Sequence, residues 1–442
     1  MERPIWAVTA ATFTLRFATG FTGALLIFYL ADLPEHGGPE IGPLTIAVLT
    51  ALFFAAEMIL SPPFGLLSDR IGHHRVMQIG PVFGIVAVIL TALTAEIHLP
   101  GSIVIVAPVL FGSLPLIGFT RILEGASTAA SVPSILGYIA VVTSRDEALR
   151  GRASARFEAA TIGGLAIGFG IAGPAWELLG PTAFLVNAFV YVAALLVFRF
   201  AVPSFSRTGP GPRSRSYGVR RYAMLLGRAR VWILAPTWVA LNAALGLYTS
   251  QTLFQLIRTP DPVHADQILV GGFTGLAVAG TFVIGGLVFF AGLWYWGGRF
   301  GQMRRTSIIF YGIIGGGIFA VMALALNHSG SLPDLARLPL VIGVAVGLFL
   351  LAGATPAALG LLADMSESFP DDRGAIMGLY SVFLAMGQII GAIIGGVAAS
   401  AWALDGVLLA TVALLAVALM PLARLRQFET RFERTAVPGA GV

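Results

Sequence analysis

Residues 44–96 read LTIAVLTALFFAAEMILSPPFGLLSDRIGHHRVMQIGPVFGIVAVILTALTAE. An apolar run is followed by a short turn carrying Asp69, Arg70, His73, His74 and Arg75, and then by a second apolar run. About 20 apolar residues, rising 1.5 Å each in a helix, cross roughly 30 Å of hydrocarbon. The stretch therefore predicts two membrane-spanning helices, 44–67 and 76–96, joined by a charged hairpin.

The same alternation extends in both directions. The chain has 442 residues, of which 57% are hydrophobic and only 11% charged; its mean hydropathy is +0.87. A soluble domain carries about 25% charged residues. The apolar runs place further spans at 6–32, 103–142, 150–178, 181–202, 230–257, 268–297, 305–327, 338–366, 373–400 and 402–423. The fourth is too long for one straight helix, and Pro108 and Pro115 are expected to break or kink it. Twelve spans put both termini on one side. The first span lacks a small-residue cleavage site and is read as a span rather than a removed signal. The 54 glycines suit closely packed helices in lipid.

The basic residues, all arginine, fix the orientation. They gather in alternate loops, at Arg70 and Arg75, at Arg145, Arg150 and Arg152, from Arg199 to Arg230, at Arg299, Arg304 and Arg305, and at Arg373 and the tail. The opposite loops carry Arg258 and Arg337. Arginine-rich loops stay in the cytoplasm, so the chain is expected in the cell's inner (plasma) membrane with both termini cytoplasmic, acting as a monomer. With that distribution, a pI of 9.9 does not indicate nucleic-acid binding. No cysteine is present, which excludes disulfides, thiolate metal sites and cysteine nucleophiles. No metal-ligand spacing, nucleophile constellation or phosphate-cradling loop is found, so neither a cofactor nor an enzyme activity is expected.

Residues 204–229, rich in Pro, Gly, Ser and Arg, divide the chain into a six-helix bundle over 1–203 and another over 230–442. This linker reads equally as a tether on anionic lipid or as a solvated loop. The halves repeat. A shift of 229 places Arg70, Gly72 and Arg75 on Arg299, Gly301 and Arg304. A shift of 223 places Arg150, Gly151, Gly164 and Gly168 on Arg373, Gly374, Gly387 and Gly391. Parallel repeats of this kind belong to transporters whose site lies near the midplane between them.

The turn from Gly65 to Arg75, with Gly65, Asp69-Arg70 and Gly72 followed by basic positions, resembles the signature loop of the major facilitator superfamily. His73 and His74 stand where that family has Arg or Lys. Arg121-Ile-Leu-Glu124-Gly125 resembles the family's Arg-x-x-Gln-Gly motif, with Glu124 replacing Gln. Gly170-Ile-Ala-Gly173-Pro174 resembles the motif of its drug:proton antiporter branch, without the following Gly-Gly. The resemblance covers the whole chain. It implies an all-α fold of two pseudo-symmetric six-helix bundles working by alternating access. It also implies a gate in which Asp69, beside Arg70, meets Arg373 at the start of the eleventh helix, where a helix dipole adds to the guanidinium. Gly163, Gly164, Gly168, Gly170 and Gly173 recur on one helical face and read first as packing, with a hinge as the resemblance's alternative.

Charge inside a bilayer costs about 2.5–3.5 kcal/mol per group, so each buried ion needs a partner or a role. Arg16, Glu57, Arg121, Glu124 and Glu158 all lie deep in spans of the first half, with Arg16–Glu57 and Arg121–Glu124 as expected pairs. The second half offers Trp238, Asn242, Tyr248, Gln251, Tyr380 and Gln388 instead. One charged wall and one apolar, aromatic wall suit a hydrophobic or amphiphilic small molecule better than a sugar. A carboxylate beside an arginine can exchange a proton for a substrate. The expected function is proton-coupled export of drug-like molecules, with Glu57 the leading proton site. Translocation of a lipid or lipid-linked substrate, or a non-transporting membrane assembly role, are the alternatives. Trp294, Tyr295 and Trp296 are expected to anchor a helix at the membrane interface.

Overall fold

The computed structural model describes residues 2–99, 103–105, 109–143, 147–204, 231–299, 302–367 and 373–436. Most of the linker 204–229 lies outside them. The described residues are helical almost throughout, as lipid requires of a backbone with no water to satisfy it. The helices are α1 (Glu2–Asp32), α2 (Pro43–Ile71), the single turn α3 (His73–Val76), α4 (Ile79–Ala92), α5 (Leu114–Val142), α6 (Glu147–Leu179), α7 (Thr182–Leu196), α8 (Val231–Ile257), α9 (Gly275–Gly297), α10 (Arg305–Asn327), α11 (Asp334–Leu351), α12 (Ala354–Glu367) and α13 (Arg373–Ala436).

Ten described helical segments are long and apolar enough to cross a membrane, against the twelve expected. One of the ten, Val382–Gln427, is two helices joined at a sharp turn where Trp402 and Ala403 leave helical geometry, Ala403 at φ +46°. Counting its two arms separately gives eleven. Helix α8, 27 residues long, stands outside that set at the place of the seventh span.

Four expected boundaries are corrected. Residues 103–105 and 109–113 are not α-helix; Ile97–Leu99 pairs antiparallel with Ile103–Ile105 as a small hairpin, β1 and β2. The β-branched residues and the intervening Pro100-Gly101 carried that signal. Pro115 sits in the first turn of α5, where its missing N–H is harmless, and so starts the helix rather than kinking it; Pro108 lies outside the described residues. Span 8 begins at Gly275, because Gly271 and Gly272 take φ of +80° and +75°. Span 10 is broken between α11 and α12. There the Trp296 indole N–H donates to the Phe349 carbonyl at 3.2 Å, and a side chain at Gly353 would strike the indole ring. Span 12 continues as helix to Ala436. Trp296 is therefore a core residue, 5% exposed, while Trp294, 85% exposed, fits the interfacial role.

The chain divides into two compact units. The first is 1–218 with 256–259 and 272–282; the second is the remainder. In the first unit α1 packs along α6 and α7, α2 along α5, and α4 against α5 and α7. Its core gathers Ile5, Leu15, Met77, Ile135, Tyr138, Phe157, Tyr191 and Phe198. The second has one core around Trp238, Trp296, Ile309, Phe383 and Leu415, and another around Leu247, Ala320 and Val407.

A polar knot closes one end of the second unit. The Asn327 amide donates to Asp405 Oδ1 at 2.8 Å and to Gln267 Oε1 at 3.1 Å, and its oxygen accepts from the Leu269 N–H at 2.9 Å. Gln267 donates to the Trp402 carbonyl at the turn in α13, 3.1 Å away. His328 lies between Asp405, at 2.7 Å, and Asp266, at 3.2 Å.

Close approaches of glycine to neighbouring helices repeat between the units. Gly164 and Gly168 lie against α1 at Phe13, Arg16 and Phe17; Gly387 and Gly391 lie against α8 at Val239, Asn242 and Ala243. Gly80 meets Ser131 and Gly84 meets Tyr191; Gly312 meets Ala354 and Gly316 meets Leu415. The His73 ring covers Gly137 as the Arg305 guanidinium covers Gly360. The shift of 223 read from the sequence holds for α6 and for the α5 contacts. Beyond the signature loop the shift is 232 rather than 229, so three residues are gained within that loop.

Candidate functional site

The charged residues of the first half gather in the first unit, on α1, α2, α5 and α6. Gly125 of α5 lies so close to α2 that a Cβ there would be 2.2 Å from the Phe53 carbonyl and 3.1 Å from the Glu57 nitrogen. This seam brings Arg121, one turn earlier on α5, over the Phe53 ring at 4.9 Å from its centroid. Arg121 and Glu124, three residues apart and so on one face, form the expected ion pair, with side chains 11% and 2% exposed. Arg121 is thus compensated twice, by a carboxylate and by an aromatic face.

Arg16 is held differently. Among the described residues no carboxylate lies within 4.0 Å of its guanidinium, so the expected Arg16–Glu57 pair is not a direct contact. Its Nη1 makes a long contact of 3.5 Å to Thr128 Oγ1. Glu57 and Glu158 act on it through space. Arg16 and Glu57 are half-buried, and Glu158 is exposed on the surface of the unit. One cation thus faces two carboxylates it does not touch, and protonating either changes the field on it without first breaking a bond.

Two residues not anticipated complete the cluster. The Asn187 amide of α7 donates to the Ala18 carbonyl at 2.9 Å and to Thr22 Oγ1 at 2.6 Å. One turn later Tyr191, fully buried, packs over Gly84. In sequence both look like ordinary members of an apolar span; a glycine on α4 facing an aromatic residue was the only trace.

Breaking a buried pair strands one charge at a cost of about 3–5 kcal/mol. Glu124→Ala is therefore expected to melt well below the parent protein in detergent. Glu124→Gln, which keeps an acceptor for Arg121, is expected to retain most of that stability. An alanine variant as stable as the parent would remove the pair from the account.

The signature loop is shaped by two residues. Gly72 ends α2 at φ +99°, a conformation closed to other residues, with its N–H on the Ser68 carbonyl at 3.0 Å. Ser68 Oγ donates to the Gly65 carbonyl at 2.8 Å and lies 3.1 Å from His73 Nδ1. Arg70 is exposed. The side chains of Asp69 and Arg373 lie outside the described residues.

In the second unit Trp238 and Asn242 are each 2% exposed, Gln251 0% and Gln388 7%. Asn242 donates to the Trp238 carbonyl at 2.9 Å, and Gln388 accepts from Thr249 at 3.2 Å. Tyr248 meets Phe319 edge-on at 5.5 Å; the side chain of Tyr380 lies outside the described residues. On α6, Gly173 touches the backbone of Gly275, Glu177 accepts from the Leu276 N–H at 3.3 Å, and Gly170 has open space around it. Pro174 is the proline within that helix. Among the described residues no cluster of three or more metal-binding side chains occurs.

A family model described as the Major Facilitator Superfamily matches residues 8–332. The chain belongs to the major facilitator superfamily. It is thus a multi-pass membrane transporter and not an enzyme. This facilitator is 24% identical over 358 residues to Multidrug resistance protein 1 of Bacillus subtilis (strain 168), 79% of each chain being covered. Two crystal structures of the nucleoside transporter NupG match it with a TM-score of 0.67 and 13% identity. They cover 95% of the facilitator and 99% and 98% of their own chains. At that identity the likeness fixes the facilitator fold alone.

Proposed function

We propose that this facilitator is a proton-coupled exporter of drug-like or amphiphilic small molecules, working by alternating access. The observation that carries the proposal is the unequal filling of a repeated scaffold. Where Gly164 packs on Arg16, Gly387 packs on Asn242; where Gly84 packs on Tyr191, Gly316 packs on Leu415. The first half holds Arg16, Glu57, Arg121 and Glu124 well inside its apolar spans, with Glu158 near the end of another, and the matched positions of the second half are neutral. Such a division gives one half a proton-exchanging role and leaves the other to apolar and hydrogen-bonding contacts with substrate.

Glu57 is the proposed proton site, with Arg16 as the cation that feels its change. Arg121–Glu124 sets the resting charge, and Glu158 is the second carboxylate in reach of Arg16. Trp238, Asn242, Tyr248, Gln251, Tyr380 and Gln388 are proposed for the substrate. Asp69 with Arg373 is proposed as the gate that shuts the cytoplasmic side, in a plasma-membrane protein with both termini inside. The name of the Bacillus subtilis relative, Multidrug resistance protein 1, favours the same substrate class.

The test is flux of rhodamine 6G, a lipophilic cationic dye, in proteoliposomes under an imposed pH gradient. Dye accumulation that collapses with a protonophore is expected. Flux indifferent to the gradient would overturn the coupling. Movement of fluorescent phospholipid without dye flux would replace drug export by lipid translocation.

A further inference from the structure

The apolar stretch of α1 begins at Arg3 and that of α6 at Arg156. The two helices run parallel: Gly164 meets α1 at Phe13 and Phe17, and Gly168, one turn on, meets it at Phe17 and Phe21. The same register carries the Arg156 guanidinium over the Trp6 ring, 4.4 Å from its centroid. One turn earlier on each helix, it brings Arg152 level with Arg3. Residues three and four apart share a helical face, so Arg3 lies beside Trp6 and Arg152 beside Arg156. Arg3, Trp6 and Arg152 are exposed.

These three cations have no counterion. Among the described residues no carboxylate lies within 4.0 Å of Arg3, Arg152 or Arg156. Glu158, two residues beyond Arg156, stands on the other side of α6. The side chains of Glu2 and Glu147, at the first residues of the two helices, lie outside the described residues. Arg156 is the unusual member of the group. Its Nη1 is shut off from solvent and has no hydrogen-bond partner. An aromatic face answers the charge of a guanidinium but accepts none of the N–H bonds that lie in its plane. What Arg156 lacks is an anionic acceptor, the partner its fork fits best.

We propose that Arg3, Trp6, Arg152 and Arg156 form a binding site for the phosphate of an anionic phospholipid. Its leaflet is the one at this end of α1 and α6, the cytoplasmic leaflet in the orientation proposed above. The cluster sits where apolar helix surface gives way to headgroups, the depth at which indole rings settle. Arg156 takes the phosphate oxygens, and Arg3 and Arg152 add charge that favours an anionic headgroup over a zwitterionic one. From the phosphate an exposed stripe of Trp6, Ala10 and Phe13, four and three residues apart, leads along α1 away from the headgroups. An acyl chain of the same lipid lies along it. A free anion would use the arginines but not the stripe.

Thermal unfolding in detergent tests the site, because a ligand of the folded state raises the melting temperature as its concentration rises. Dioleoylphosphatidylglycerol is expected to raise it, and zwitterionic dioleoylphosphatidylcholine at the same concentration is not. An arginine near an anionic surface is worth about fivefold in affinity. Arg156→Gln is therefore expected to need about fivefold more phosphatidylglycerol for the same rise, and Arg3→Gln/Arg152→Gln/Arg156→Gln to show no rise. Arg424→Gln, which removes an exposed arginine of α13, controls for diffuse attraction and is expected to respond as the parent protein does. Equal stabilisation by the two lipids would overturn the site, as would a loss in Arg424→Gln matching that in Arg156→Gln. An equal rise with inorganic phosphate at the same concentration would overturn the lipid as its ligand. Native mass spectrometry gives a second measurement should Arg156→Gln fail to fold. Arg3→Gln/Arg152→Gln changes only exposed side chains, and it is expected to lose phosphatidylglycerol adducts that the parent retains. Adducts retained in equal number would overturn the site.

Discussion

Glutamine in place of Glu57 is expected to abolish dye accumulation driven by a pH gradient while leaving dye exchange at equal pH. Gln keeps the size of the side chain and its place on α2 against Gly125, but it neither binds nor releases a proton. Arg16 then loses one of the two carboxylates that act on it, and Glu158 alone answers its charge. The differential interaction at stake is comparable to the insertion cost of one charge, about 2.5–3.5 kcal/mol, which corresponds to a loss of about 100-fold in gradient-driven flux. Glu158→Gln, which removes an exposed carboxylate, is expected to act more weakly. Undiminished uphill transport by Glu57→Gln would take Glu57 out of the mechanism.

The second large effect concerns the glycine seams. A Cβ on Gly168 would come to 2.2 Å from the Phe17 carbonyl oxygen, and one on Gly391 to 1.9 Å from that of Ala243. Both obstacles are backbone, so the clash is relieved only by prising α6 from α1 or α13 from α8. Overpacking of this kind costs about 1–3 kcal/mol. Gly168→Ala and Gly391→Ala are each expected to lower the melting temperature by several degrees and to reduce folded yield. Gly170→Ala is the control, since nothing lies within 4 Å of the added carbon. It is expected to melt as the parent does. Slowed transport at unchanged stability would give Gly170 the hinge role; unchanged transport would leave that role without support. If all three variants melted alike, close backbone approach would not be what holds the seams.

These variants also indicate what could be read in the chain before its structure. The loop from Gly65 to Arg75 and the length of the apolar runs were sufficient for the facilitator fold, because both reflect the cost of exposing backbone and charge to lipid. Boundaries were less legible where a turn lay within an apolar stretch. Ile97–Ile105 is as hydrophobic as a span, and its β-branched residues with the Pro100-Gly101 pair mark it as a hairpin. Trp296 belongs to the same class of error: it sits beside two interfacial aromatics, but the break at Gly353 draws it inside. Among the site residues, Arg16, Glu57, Arg121, Glu124 and Glu158 stand out in any apolar run. Their grouping does not. Arg121 and Glu124 share a helix, so their pairing followed from spacing, whereas Arg16 and Glu57 meet only through packing, and they stop short of contact. Tyr191 and Asn187 are chemically unremarkable in sequence; they acquire meaning from Gly84 and Thr22, which are far away along the chain.

The contacts at Gly84 and Gly316 carry one more consequence. A glycine opens a notch at both places; an aromatic ring lies over it in the first half and an aliphatic residue in the second. Likewise Gly387 receives the Cβ of Asn242 where its twin, Gly164, receives the Cβ of Arg16. The duplicated frame is therefore more permissive than its present occupants, and the two halves could diverge in chemistry by changing side chains alone, without disturbing how their helices nest. Specialisation of this sort makes each half a separate target for redesign: ion dependence can be edited on one side and ligand preference on the other.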